Sequence, residues 1–365
     1  MMLLTTNMVH FARFLALYYT PFILKSANGH GFNAHNQYKE NHGNLRNLDI
    51  FEDSTSETLT LNTPCNDDDP VFTIGGTTYA CVAAFHQKGG RCGTPDMTPE
   101  QLAKIDEAFL AWDEIEEGAR VDWSTSVITI PTYFHVIHSG NDGRQFTYAS
   151  NPAYIKNQIK IMNNDFRGDD SFYAPNPNGR SYNRFNVADA NAKIQFCLAE
   201  EPDARDNPDW YPLDVTSTAT RDMKRALRKG GMESLNVYVT IPQDQGDNIL
   251  GFATFPDEND LVLDGVIIMN ESMPNSSSQK YGEGDTLPHE TGHWLNLAHT
   301  HQDSCAGPGD YMNLAPPSSN YASIAAKELD ATFDCPVNED DCVNDSGKKN
   351  PIHSFMSYAQ VRLYS

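Results

Sequence analysis

The sequence is short of basic residues. Against 49 acidic side chains it carries 26 lysines and arginines, for a net charge of −23. Such a surface repels phosphate backbones and anionic bilayers, which excludes nucleic acid and acidic membranes as partners. There is no internal repeat and no glycine-rich phosphate loop, so solenoids and the common nucleotide-binding motifs are excluded as well. The N-terminal apolar run, Phe14 to Leu24, is too short to span a bilayer comfortably and is interrupted by Pro21. No membrane anchoring is therefore expected. With Arg13 before that run and the small pair Ser26-Ala27 after it, residues 1–27 read as a secretory signal. Seven cysteines and the sequons at Asn270, Asn275 and Asn344 suit the same oxidising route, which predicts a secreted, extracellular protein.

What is present is 365 residues with an ordinary hydrophobic share of 39%. Residues 28–60 are rich in Asn, His and Gly without a period, and read as a flexible segment. Val71–Ile74, Gly75-Gly76 and Thr77–Ala83 predict a β-hairpin, flanked by Cys65 and Cys81, which can pair. Thr98 as N-cap, Pro99 in the first turn and Gln101 completing a capping box predict a helix. Its apolar stripe is Leu102, Ile105, Phe109 and Trp112, and Gly118 ends it. From Val127 onward strands and helices alternate. Val127–Ile137, Ile194–Leu198, Leu235–Ile241 and Val262–Met269 read as strands. Ile155, Ile159, Met162 and Phe166 mark a helix opening at Asn151-Pro152, and Met223, Ala226 and Leu227 mark a shorter one. The fold class predicted is α+β or mixed α/β, with helices packed on a twisted mixed sheet. The acidic clusters Asp67-Asp68-Asp69 and Glu339-Asp340-Asp341 could hold Ca²⁺, although solvated loops are the better account of any one of them.

The chemistry concentrates in Leu287 to His299, which reads L-P-H-E-T-G-H-W-L-N-L-A-H. His289 and His293 lie four apart on one helical face, about 6 Å along the axis, so both rings can reach one metal ion. Pro288 lacks an N–H and fits only in a first turn, so the helix should begin near Asp285 or Thr286. A straight helix would carry His299 away, so the chain must turn between His293 and His299. Asn296 stands where a left-handed residue is needed, and Asn tolerates that conformation best after Gly. Three histidines leave one open position, the arrangement of a catalytic Zn²⁺ site. Glu290 is placed to act as general base on a water whose pKa the metal lowers to about 7.

The pattern H-E-x-x-H-x-x-N-x-x-H resembles that of the metzincin zinc endopeptidases. His353-Ser354-Phe355-Met356-Ser357-Tyr358 resembles their Met-turn. The resemblance implies a floor under the ligands at Met356 and an oxyanion-stabilising role for Tyr358. Arg228-Lys229-Gly230-Gly231, Leu250 to Pro256, Asp264-Gly265-Val266-Ile267 and Gly309-Asp310 are similar to segments of the pappalysin family, in particular its secreted extracellular metalloproteases. This similarity covers about residues 127–358. It implies that Leu250 to Phe255 is a sheet-edge strand on which extended protein or peptide substrates can pair. Arg91-Cys92-Gly93 resembles the cysteine switch of metzincin zymogens, with the Cys92 thiolate on zinc; a disulfide is the other reading of Cys92. Cys305 and Cys342 match positions bridged in the family, whereas the pairing of Cys197 and Cys335 stays open. The implied organisation is a signal at 1–27, a pro-segment at 28–122 and a metzincin-like catalytic domain at 123–365.

The sequence departs from the family pattern at three places. Ser357 stands where an Asp is usual, and Leu314 replaces an Asp in a cation-binding loop, which weakens the case for Ca²⁺ there. Gln360-Val361-Arg362-Leu363 resembles the start of the terminal helix, so the catalytic domain is expected to be abbreviated at its C-terminus. The function implied is a secreted zinc-dependent endopeptidase made as a zymogen. The alternative is a catalytically inactive secreted protein that keeps the zinc site.

Overall fold

A computed structural model describes residues 65–66, 68–101, 127–140, 151–167, 192–256, 260–274, 276, 280–302 and 355–358. The signal, the stripe from Leu102 to Trp112 and the Cys305–Cys342 pair lie outside these residues, as do the sequons at Asn275 and Asn344.

The described chain opens with a small unit. Strands β1 (Phe72–Ile74) and β2 (Thr77–Tyr79) pair antiparallel, with Gly75 and Gly76 in the turn. The predicted second strand was to run to Ala83. It stops at Tyr79 because a disulfide joins Cys65 to Cys81, and helix α1 (Val82–Gln87) follows at once. Phe85 on α1 is fully buried against the hairpin, so tertiary packing overrides the strand propensity of Val82. The capping box at Thr98 is formed: its hydroxyl accepts from the Gln101 N–H, and the Gln101 side chain accepts from the Thr98 N–H.

The main sheet is built from β3 (Ile128–His138), β4 (Ile194–Leu198), β5 (Asp203–Asp206), β7 (Leu235–Thr240), β10 (Gly251–Ala253) and β11 (Val266–Met269). Its order is β10-β11-β7-β3-β4, with β5 also pairing β3. Every pair is parallel except β10 with β11, so the edge strand runs against the rest. β11 begins four residues later than predicted, at Val266. A smaller three-stranded sheet joins β6 (Leu213–Asp214), β8 (Pro242–Asp244) and β9 (Asp247–Asn248).

Two helices cover one face of the main sheet. Asn151 accepts from the Ala153 N–H and starts α2 (Pro152–Arg167), which buries Ile155, Ile159 and Met162 at the spacing the sequence shows. These side chains share a core with Val237, Ile268 and Leu287. Burial of each contributes about 1.5–3 kcal/mol. The other helix in this core, α4 (Thr286–Trp294), carries the two histidines. Helix α3 (Thr218–Leu227) joins a separate core containing Leu213, Tyr238 and Ile267. It buries Met223, Lys224 and Leu227, while Ala226 is exposed. The fully buried Lys224 ammonium donates to the carbonyls of Leu263 and Gly265, which ties α3 to the approach to β11. The sequon residue Asn270 is also buried, so it is not a glycan acceptor in this fold.

Helix α4 starts at Thr286, with Pro288 in its first turn. It ends at a left-handed residue, Asn296, whose φ is 83°. The Asn296 N–H donates to His293 O at 2.8 Å and the Leu297 N–H to Gly292 O at 2.9 Å. This is a Schellman ending, which reverses the chain within one residue. An alanine here carries the Cβ penalty of the left-handed region. Asn296→Ala is expected to lose about 1 kcal/mol of stability, whereas Asn296→Gly should not, as read by thermal unfolding of the two variants.

Candidate metal centre and its second tier

Helix α4 projects His289 and His293 to one side, and the turn at Asn296 returns His299 to meet them. The His293 Nε2 lies 3.2 Å from the His289 Nε2 and 3.0 Å from the His299 Nε2. The His289 Nδ1 is 2.5 Å from the Phe355 carbonyl, and the His293 Nδ1 is 2.8 Å from the Leu297 carbonyl. A carbonyl only accepts, so each Nδ1 carries the proton and each Nε2 presents a lone pair. All three rings are held well below the ordinary histidine pKa, first by burial and then by mutual repulsion. They are therefore neutral imidazoles, the form that ligates a metal.

Cys92 completes the set. Its Sγ and the three histidine nitrogens all lie within 4.8 Å of one another. One sulfur and three imidazoles suit Zn²⁺ among the biological divalent metals. Burial and the nearby Glu290 push the Cys92 thiol well above its ordinary pKa. A divalent cation at the centre of these donors reverses that sign, because it favours the thiolate directly. The donor set thus fits a zinc ion. Glu290 is fully buried, with Oε2 3.5 Å from the Cys92 Sγ. Burial raises its carboxyl to about 8, opposed by hydrogen bonds from Cys92 and Thr94.

Met356 lies beneath α4. A Cβ on Gly292 would collide with the Met356 Sδ, so only glycine lets the sulfur approach the helix there. The Thr300 N–H donates to Met356 O at 3.2 Å, binding the histidine loop to the same turn. The Tyr358 ring stands 5.0 Å from that of His299 and 5.9 Å from that of His289. Its hydroxyl donates to Cys92 O at 3.3 Å.

Several contributors lie in or near segments the family resemblance marks, but their roles appear only in the folded chain. Gly251 on β10 packs where a Cβ would strike the Glu290 carboxylate. Thr94 donates to the Glu290 Oε2 at 3.2 Å and accepts from the Ala253 N–H at 2.8 Å. Its side chain thus holds the carboxylate and the sheet edge together. The Trp294 Nε1 donates to Asp264 Oδ1 at 2.9 Å, and Arg228 pairs with the other oxygen at 3.2 Å, which anchors α4 to the sheet. Asp96 lies 3.6 Å from the His299 Nδ1, and Gln302 binds the Met97 backbone through both N–H and C=O. Cys197 is a free, exposed thiol away from the centre.

A twisted mixed sheet, a helix with two histidines four apart, a sharp turn to a third and a methionine below define a metzincin-type metallopeptidase architecture. Residues 226–363 match the peptidase M43 family, described as pregnancy-associated plasma protein-A. Extracellular metalloprotease 1 of Coccidioides posadasii is 32% identical over 286 residues, covering 77% of this chain and 86% of that protein. An extracellular metalloprotease of Pyricularia oryzae is 32% identical over 279 residues, covering 75% and 83%. A promirolysin structure from Tannerella forsythia shares the fold, with a TM-score of 0.51 and 21% identity over 74% of this chain and 87% of that one. The chain belongs to this pappalysin family of extracellular metalloproteases. Among the described residues no helix is long and apolar enough to cross a membrane.

Outside the centre, His86 gives the structure a pH dependence. Its Nε2 lies 2.6 Å from the Tyr281 hydroxyl. Burial, with Arg91 and Lys280 nearby, lowers its pKa from 6.5 to about 3. The folded state therefore resists a proton that the unfolded chain accepts. Stability is complete above 6.5 and is lost as pH falls toward about 3. His86→Gln is expected to flatten that acid limb, read as the difference between the thermal-unfolding pH profiles of variant and parent.

Proposed function

We propose that the protein is a secreted zinc-dependent endopeptidase made in a latent form, with residues 28–122 as its pro-segment and 123–365 as its catalytic domain. The observation that carries this reading is the convergence of Cys92, His289, His293 and His299 on one point beside the buried Glu290. The three histidines are the protein ligands, and Cys92 takes the fourth position until it is displaced. A zinc ion held there supplies Lewis acidity that lowers the pKa of a water and polarises a peptide carbonyl.

Glu290 takes a proton from the attacking water at Oε2 and returns it to the departing amine nitrogen. In the latent form that oxygen is engaged by Cys92 and Thr94, so the base is blocked together with the metal. Tyr358 is placed to donate to a developing oxyanion once Cys92 O no longer accepts from its hydroxyl. Among the described residues β10 is the last strand of the sheet beyond β11, and the pro-segment lies along its outer edge: the Gly93 N–H donates to Gly251 O, and the Leu250 N–H just before the strand donates to Gly90 O. An extended protein or peptide substrate would take the same edge through backbone hydrogen bonds.

Glu290→Ala is expected to keep one zinc per chain and to lose peptide cleavage by about 10²–10⁴-fold. Metal stoichiometry and casein digestion on the same preparation read both. Zinc retained with undiminished cleavage would remove Glu290 from its role. Zinc without cleavage in the activated parent protein would favour the inactive zinc-binding reading. Cys92→Ala is expected to weaken latency, so that the uncut variant cleaves peptide faster than the uncut parent, and unchanged latency in that variant counts against the switch.

A further inference from the structure

The N-terminal unit touches the sheet domain at two adjoining places. One is the cleft, through Cys92 and Thr94. The other lies beyond it, where Ile74, Tyr79 and Phe85 share a core with Leu250, Met269 and Tyr281. Asn248 is the polar centre of this second contact. It is fully buried, its Oδ1 is held by Gln243, and its Nδ2 donates to Ile74 O at 2.9 Å and to Gly75 O at 3.3 Å. Its backbone N–H donates to the Tyr79 hydroxyl at 3.3 Å. Phe72 packs edge-on against Tyr281 with ring centroids 5.9 Å apart. The Arg91 guanidinium lies over the same Tyr281 ring at 5.2 Å, just before the cleft begins. Ile74, Phe85, Asn248 and Met269 lie away from the cavity beside His289, whereas Leu250 and Tyr281 stand at its border and line it. The two contacts adjoin at Leu250 and Tyr281 but differ in chemistry: soft-donor ligation at one, aromatic burial around a satisfied asparagine at the other.

The unit is also built to stay in one piece. The Cys65–Cys81 disulfide ties the start of the hairpin to the start of α1, which constrains a unit too small to rely on its own core. Residues 102–126 connect it to β3.

We propose that residues 65–101 form a separable, two-site inhibitor, held on the sheet domain by a docking surface of Asn248, Leu250, Met269 and Tyr281 as well as by Cys92. The inference rests on the latency reading above. Its consequence is that cutting the connection between residues 101 and 127 does not by itself open the cleft. The docking surface keeps Cys92 at a high effective concentration over the histidines, as one half of a bivalent ligand does for the other. Opening requires a second event that removes the docked unit.

The test uses the full chain with a recognition sequence for a site-specific protease placed between residues 101 and 127. A fluorophore is attached to the N-terminal part before cutting. The cut protein is then followed by gel filtration and by the anisotropy of the labelled fragment on dilution. In a Cys92→Ser background, with the thiolate ligand gone, the two pieces are expected to elute together. Adding Asn248→Ala, or Phe72→Ala on the other side of the contact, should speed release about tenfold or more. Two changes on opposite partners guard against one of them acting by local unfolding. Complete separation of the cut Cys92→Ser protein on the column would overturn the proposal, as would unchanged release in both docking variants. Peptide cleavage by the separated sheet domain is measured in parallel. If it does not exceed that of the intact chain, the latency reading fails, while elution and release still decide the docking surface.

Discussion

Three neutral imidazoles cannot crowd their lone pairs together in a buried pocket without a shared electrophile or a scaffold that forces them there. This constraint organises the structure. The Phe355 and Leu297 carbonyls fix the tautomers of His289 and His293, so that both Nε2 atoms face inward. The Schellman turn at Asn296 brings the third ring back within 3.0 Å of the second. Gly292 omits the one atom that would keep Met356 from closing the floor. The chain Trp294–Asp264–Arg228 fastens the far end of the helix to the sheet. Each device is local, and all of them hold the same three nitrogens.

The edge strand β10 is the second organiser. It is three residues long and runs antiparallel to β11, and it meets four neighbours within that span. Gly251 makes room for the Glu290 carboxylate. Ala253 is bound by the Thr94 hydroxyl, and Gly251 O accepts from Gly93. Just before the strand, Leu250 joins the core under the N-terminal hairpin. On the proposed reading, one short edge serves inhibitor, base and substrate in turn. On that reading, whatever occupies the edge also decides whether Glu290 is free to move a proton.

Much of this was legible in the residues. The helix start at Thr286 follows from Pro288, and the turn follows from an Asn in a place where the chain must reverse. The apolar runs placed β3, β4, β7 and β11 of the main sheet, whereas β10 was marked by the family resemblance and β5, which reads Asp-Ala-Arg-Asp, by no signal. Other features were not legible. The second hairpin strand looked longer than it is, because the chain turns into α1 after Cys81, and no local signal competes with a disulfide and a buried Phe85. Lys224 was not foreseeable as a core residue, since only its carbonyl partners make an interior ammonium tolerable. Gly251 and Gly292 are needed for an atom they lack, and such a need exists only when another element arrives.

The sequence by itself determined the contacts made within one turn of helix or one reversal of chain: two histidines on a face, a glutamate beside them and a left-handed residue leading to the third. Backbone geometry converts spacing into position over that range. The tertiary structure alone decided the contacts between distant residues. Cys92 and Glu290 are 198 residues apart, and Thr94 and Ala253 are 159 apart. The docking of Asn248 against the hairpin belongs to the same class. No periodicity spans such separations, and these meetings are set by which surfaces the folded sheet leaves open.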